Sequence, residues 1–228
     1  MLSINSLREL TIATIAIRIV VALVLGGLIG LERGNKNQPA GFRTYMLVCL
    51  GASMVMMTNQ YIMNTFGTGD PSRMGAQVIS GIGFLGAGTI IVTKRNQVRG
   101  LTTAAGLWSS ASLGLGIGIG FYEGAILAGV SILLIMTILQ RIEYFFRERS
   151  IYLSLYINFA SVGEMNQFIE FSGENGINVL DIQISKVQGE REKEVVAIIK
   201  IKSETKRPHS EIIQHLSSVE GIKFIEEI

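Results

Sequence analysis

Two glycine-studded apolar segments stand back to back in the middle of this chain, the first opening in DPSRMGAQVISGIGFLGAGTIIVTKRNQVRGLTTAAGLW, Asp70 to Trp108, with basic residues between them. A water-soluble domain has little use for adjacent apolar segments of this length, whereas a helix crossing hydrocarbon needs about 20 mostly apolar residues. The chain offers five such runs, at roughly 12–31, 44–65, 74–93, 101–120 and 121–140. The last two are parted only by the turn GFYEG, yet together they are far too long for one crossing. All three prolines (Pro39, Pro71, Pro208) fall outside the runs, as uninterrupted helices require. Five membrane helices are expected.

A mean hydropathy of +0.42 with 17% charged residues excludes a disordered chain and argues against an ordinary soluble domain. Charge is dense after Arg141 and sparse before it, which divides the chain into a membrane domain, 1–145, and a water-soluble domain, 150–228. The net charge of +2 gives no argument for a nucleic-acid partner. Cys49 is the sole cysteine, so an intrachain disulfide and multi-cysteine zinc sites are excluded. The N-terminus lacks a small-x-small cleavage site after a short apolar core, and the first run is expected to stay attached.

Orientation follows from lysine and arginine in short loops. One side collects Arg33, Lys36, Arg43, Lys94, Arg95, Arg99, Arg141, Arg147 and Arg149; the other has Arg8 and Arg73. The first side is expected to be cytoplasmic, with the N-terminus outside and the C-terminal domain inside.

After Arg149 the pattern changes. IYLSLYINF alternates like a half-buried strand, and SVGEMNQFIEFSGENG carries Met165, Phe168 and Ile169 at helical spacing. INVLDIQISKV and EVVAIIKIKSE are strand-like runs around the polar turn QGEREK, HSEIIQHLSSVEG is a second amphipathic helix, and IKFIEEI a last strand. The order βαββαβ describes an α+β, ferredoxin-like sandwich, and a unit this small often gains stability by pairing.

The polar residues within the apolar half carry the functional reading. GIGFLG, Gly81 to Gly86, matches a dinucleotide fingerprint, but that motif has meaning only between a strand and a helix. Close helix packing is the simpler reading of Gly81, Gly83, Gly86 and Gly88, and of the pairs Gly26 with Gly30 and Gly114 with Gly118. Glu32 and Arg33 end the first helix, either as an interfacial ion pair or, with Arg43 and Lys94, as a polar cluster at the mouth of the bundle. Arg18 falls inside the first helix, where arginine is costly and normally snorkels or finds an acid; Asp70 and Glu123 are the acids at that end. Asp70 before Pro71 suits a helix start, and Asp70, Arg73 and Gln77 share one face of the third helix, a face too polar for lipid and expected to look into the bundle. Thr102 and Thr103 suit a cap of the fourth helix, and Trp108 either core packing or an interfacial anchor. No nucleophile–base pair, Walker loop or HExxH motif occurs, so nothing argues for an enzyme or a cofactor; the identity of any metal is left open.

GLERGNKNQPAGFRTYMLVCLGA, DPSRMGAQVISGIGFLGAGTI and VRGLTTAAGLWSSASLGLGIGIG closely resemble the MgtC/SapB family of bacterial inner-membrane proteins. The resemblance implies five transmembrane helices and a cytoplasmic ACT-like C-terminal domain, expected to be either a dimerising module or one that senses a small-molecule ligand. It also implies a link to growth under magnesium limitation, to survival of some pathogens inside macrophages, and to a membrane partner such as the ATP synthase. By motif it singles out Glu32, Arg33, Gly41, Arg43, Asp70, Arg73, Gln77, Gly81, Gly83, Gly86, Gly88, Gly100, Thr102, Thr103 and Trp108, without giving them chemical roles. Two functions follow. In one, the chain regulates magnesium-linked or energy homeostasis by binding a membrane partner; in the other, it is a homo-oligomeric ion transporter or channel.

Overall fold

The computed structural model describes residues 7–34, 38–93, 97–186 and 195–228. Lys36, Lys94, Arg95 and the turn QGEREK lie outside them. The chain forms two compact units, Met1–Gln140 and Arg141–Ile228.

The first unit is helical: α1 (Ile12–Gly34), α2 (Phe42–Phe66), α3 (Arg73–Ala87), α4 (Leu101–Gly118) and α5 (Tyr122–Leu134). One π turn, Ile135–Leu139, joins α5 to α6 (Gln140–Arg147). Among the described residues, three helices are long and apolar enough to cross a membrane: Ile12–Gly34, Phe42–Phe66 and the continuous Tyr122–Arg147. Side chains are arranged opposite to those of a soluble bundle. On α1 the buried stripe includes Thr14, Arg18, Ala22, Gly26, Gly30 and Arg33, small or polar at spacings of four and then three residues, while Val20, Val24, Leu28 and Leu31 point outward. Without a hydrophobic drive between helices in lipid, small residues at the seam let backbones approach and supply the contact.

α4 is the central helix, packed against α1, α2, α3 and α5. Its seam with α2 is tight: a Cβ on Gly114 would collide with the Cys49 carbonyl, and one on Gly118 with the Ser53 carbonyl. Gly26 and Gly30 bring α1 nearly as close, since a Cβ on Gly30 would lie 2.7 Å from Phe42 Cα. The π turn presents Met136, whose methyl would meet a Cβ on Gly106 at 2.7 Å. Gly86 rests on Ala104.

The third apolar run, expected as a helix through residue 93, departs from that reading. α3 ends at Ala87, and Ile91–Val92 (β1) pairs with Val98–Arg99 (β2) as a short hairpin. Gly88 and Thr89 close the helix, the Thr89 hydroxyl donating to the Gly86 carbonyl at 2.8 Å. The β-branched residues that follow favour extended backbone. At 15 residues α3 is about 22 Å long, short of the roughly 30 Å hydrocarbon core.

The second unit carries β3 (Tyr152–Phe159), α7 (Val162–Glu174), β4 (Ile177–Lys186), β5 (Val195–Ser203), α8 (His209–Leu216) and β6 (Ile222–Glu227). The strands form one antiparallel sheet in the order β4-β5-β3-β6. Leu153, Leu155, Ile157 and Phe159 alternate inward along β3 and pack with Ile199 and Ile201 of β5. Met165 and Phe168 of α7 and Ile212 and Leu216 of α8 cover this same face, so among the described residues of this unit both helices lie on one side of the sheet.

Candidate functional site

The polar residues of the helical unit gather at its two ends, separated by most of the length of α2, about 37 Å for 25 residues.

At the end carrying the α1 N-terminus, Arg18 is fully buried. Its Nη1 donates to Gln60 Oε1 at 2.6 Å and to the Gly118 carbonyl at 2.7 Å. Nη2 donates to the Leu7 and Arg8 carbonyls at 3.4 and 2.9 Å, and Nε to the Tyr122 hydroxyl at 3.3 Å. The acid expected beside Arg18 is absent: Glu123 pairs with Arg8 at 3.1 Å instead. A guanidinium has five N–H donors, and backbone carbonyls plus one amide and one phenol occupy them all.

Asp70 lies at the same end and starts the segment leading into α3. Its Oδ1 accepts from the Ser72 N–H at 2.8 Å and the Ser72 hydroxyl at 2.6 Å. These bonds, from the Ser72 side chain first and its backbone second, hold the Asp70 carboxyl below its ordinary value. Asn59 donates to the Pro71 carbonyl at 2.8 Å, anchoring the turn to α2. Arg73 and Gln77 share a face of α3, with Asp70 in the loop before the helix rather than on it, and all three are exposed in the single chain rather than turned into the bundle. The reason is the opposite stripe: Gly75 and Ile82 meet α2 and α4, and Gly86 the Ala104 backbone, so α3 packs on its small residues. Gly81 and Gly83, expected as packing residues, face open space, and Gly88 meets only its own helix.

At the opposite end, Glu32 and Arg33 form an ion pair at 3.7 Å with both side chains nearly buried. The Tyr45 hydroxyl donates to the Thr103 carbonyl at 3.2 Å, and Ser110 Oγ to the Tyr45 carbonyl at 3.2 Å. Arg33 Nε and Thr103 Oγ1 are buried without a hydrogen-bond partner among the described residues. Glu32, Arg33, Tyr45 and Thr103 therefore make one buried polar cluster, with hydrogen-bonding capacity left over. Tyr45 is a member that sequence reasoning missed, because a lone tyrosine in an apolar run reads as packing. Arg43, Thr102 and Trp108 are exposed and stand apart. The α4 N-cap position is Gly100, at φ 97°, and neither threonine supplies a cap bond.

The second unit holds a polar knot the sequence did not announce. His209 is buried, with Nε2 2.8 Å from the Ser150 carbonyl and Nδ1 3.1 Å from Glu227 Oε1. Arg147 Nε donates to the same Glu227 oxygen at 3.1 Å and Nη2 to the Ile228 carbonyl at 3.2 Å. Among the described residues no group of three or more His, Cys, Asp or Glu is placed to hold a metal ion.

Apolar spans with outward-facing aliphatics, followed by an α+β unit, define an integral membrane protein. The MgtC family model matches residues 19–145, and the chain belongs to that family. It is 31% identical over 217 residues to YhiD of Escherichia coli K12, named as a candidate magnesium transporter, covering 92% of this chain and 97% of that protein. It is 34% identical over 206 residues to the MgtC protein of Brucella abortus strain 2308, covering 86% and 84%. Against the MgtC protein of Salmonella typhimurium strain 14028s identity is 42%, over 51% of this chain and 48% of that one. No solved structure is significantly similar.

Proposed function

We propose that the chain is a non-enzymatic inner-membrane regulator in magnesium-linked or energy homeostasis, acting through a membrane partner. The observation that carries this reading is the closed seam of α1, α2 and α4. Four glycines there meet neighbouring backbone or Cβ atoms so closely that no path for a hydrated ion exists between these helices. Magnesium keeps much of its water shell and favours carboxylates, and the helical unit offers few. The family and the relatives' names support the magnesium link; the ATP synthase is the partner the family resemblance suggests.

In this reading α3 and α4 complete five crossings, with 1–145 the membrane domain. α4 needs little apolar surface, because neighbouring helices cover it. Basic residues Arg33, Arg43, Arg99 and Arg141 support an orientation with the N-terminus outside and residues 150–228 in the cytoplasm. The βαββαβ order there supports an ACT-like domain that binds a small molecule and pairs through its uncovered sheet.

A second reading rests on the exposed Asp70–Arg73–Gln77 face. Turned toward another copy, it lines a polar path in a homo-oligomeric transporter. Reconstitution in liposomes separates the two. Magnesium, potassium and proton gradients that persist in the presence of the protein support the regulator; flux abolished by Arg73→Ala and Gln77→Ala sinks it. Co-reconstituted ATP synthase, slowed by the protein in the same vesicles, identifies the partner.

A further inference from the structure

An apolar groove of about 530 Å³ opens on the outer surface of the helical unit between α2 and α3, within the roughly 300–1,000 Å³ range of ligand pockets. Leu47, Val78, Ile82 and Leu85 line its walls. Gly51 and Gly81 lie along it with no atom within 4 Å of where a Cβ would stand, so no side chain fills it. Among the described residues one charged side chain borders the groove, Arg43, in the first turn of α2. Arg43 is exposed and makes no hydrogen bond or ion pair among the described residues.

We propose that this groove holds an acyl chain of an anionic phospholipid, with the lipid phosphate on Arg43. Arg43 opens an apolar span, the level at which headgroups lie, and Gly51 is eight residues and about 12 Å deeper along α2. The groove's walls match a hydrocarbon chain along that depth. Its mouth carries a cation and no acid, which selects a negative headgroup, as basic pockets between membrane helices do. A helix from a second copy fits less well, because Arg43 would need an acid from it. The acids of the apolar spans and their turns are Glu9, Glu32, Asp70, Glu123 and Glu143. Glu32 is nearly buried against Arg33, and Glu9, Asp70 and Glu123 lie at the opposite end of the bundle, which leaves Glu143 as the acid a second copy would have to bring to Arg43.

The test is native mass spectrometry of the full chain released from micelles doped with phosphatidylglycerol or phosphatidylcholine of identical chains. Phosphatidylglycerol is expected to be retained with a preference of about fivefold, the size one basic side chain near a membrane surface confers. Arg43→Gln should abolish the preference while leaving some retention, Arg43→Lys should keep it, and Gly81→Leu should reduce retention of both lipids. Gly51→Leu closes the groove from α2 and gives the same result should the α3 variant misfold. Equal retention of the two lipids by the unaltered chain, or a preference that survives Arg43→Gln, overturns the proposal. So does a dimer that Gly81→Leu dissociates with lipid retention unchanged, which would make a second copy the occupant.

Discussion

Arg18 and Gln60 are joined by a 2.6 Å hydrogen bond from Nη1 to Oε1, linking α1 to α2 in a place where, among the described residues, no carboxylate pairs with the arginine. With Gly118, Tyr122, Leu7 and Arg8 supplying the remaining acceptors, this guanidinium ties α1, α2, the end of α4, α5 and the chain before α1 into one knot. Arginine suits the place because its planar fork directs five donors at fixed angles; lysine offers three on a flexible stem.

Gln60→Leu should therefore destabilise the helical unit by about 1.5–3 kcal/mol, the worth of a hydrogen bond to a charged group. Arg18→Lys should do at least as much harm, since several carbonyls lose their donors. Glu123→Gln removes only an exposed pair with Arg8 and should cost less than about 1 kcal/mol. Thermal unfolding in detergent ranks the three; equal losses from Gln60→Leu and Glu123→Gln would contradict the role given to Arg18.

The glycines sort into two classes that sequence spacing did not separate. Gly114→Ala and Gly118→Ala place a methyl against α2 carbonyls and should each cost about 1–3 kcal/mol or more, as overpacking does. Gly83→Ala meets open space and should be neutral or stabilising, because alanine favours helix. Expression and melting temperature read the contrast directly.

Asp70 gives a pH prediction whose sign is fixed. Its folded value is lowered below 3.8 by Ser72, so its contribution is fully present above the unfolded value and is lost as pH falls through the lowered folded one. The acid loss should therefore lie below about pH 4, leaving neutral pH unaffected. Asp70→Asn keeps an acceptor for the Ser72 N–H and should fold at neutral pH with a weaker start to α3; Ser72→Ala should raise the Asp70 titration midpoint, measured by NMR on selectively labelled aspartate. An unchanged midpoint would remove the assigned cause.

The long helices and the βαββαβ order were legible because each rests on periodicity over many residues. α3's end was not. Ile90, Ile91 and Val92 add to hydropathy as well in a hairpin as in a helix, and only their pairing across to Val98 and Arg99 distinguishes the two. Partners were harder still. The rule that a membrane arginine seeks an acid pointed to Asp70 or Glu123, but carbonyls freed at the end of α4 and before α1 have no sequence signature. The polarity of Arg73 and Gln77 was plain, yet which way their face turns depends on where α2 and α4 accept Gly75 and Ile82.

His209 shows the same gap, and it closes with a test. Both of its ring nitrogens face oxygens, Ser150's carbonyl and Glu227's carboxylate, at a buried position where unsatisfied acceptors are costly. His209→Phe keeps the ring's bulk but leaves the buried Ser150 carbonyl without its partner and Glu227 with Arg147 alone, and should destabilise the second unit by about 1–3 kcal/mol. Arg147→Ala removes a largely exposed contact to the same carboxylate and should cost about 0.2–1 kcal/mol. Limited proteolysis of the full chain, reading cleavage within residues 150–228, measures both. A larger effect from Arg147→Ala would shift the anchor of β6 and the chain terminus from the imidazole to the guanidinium.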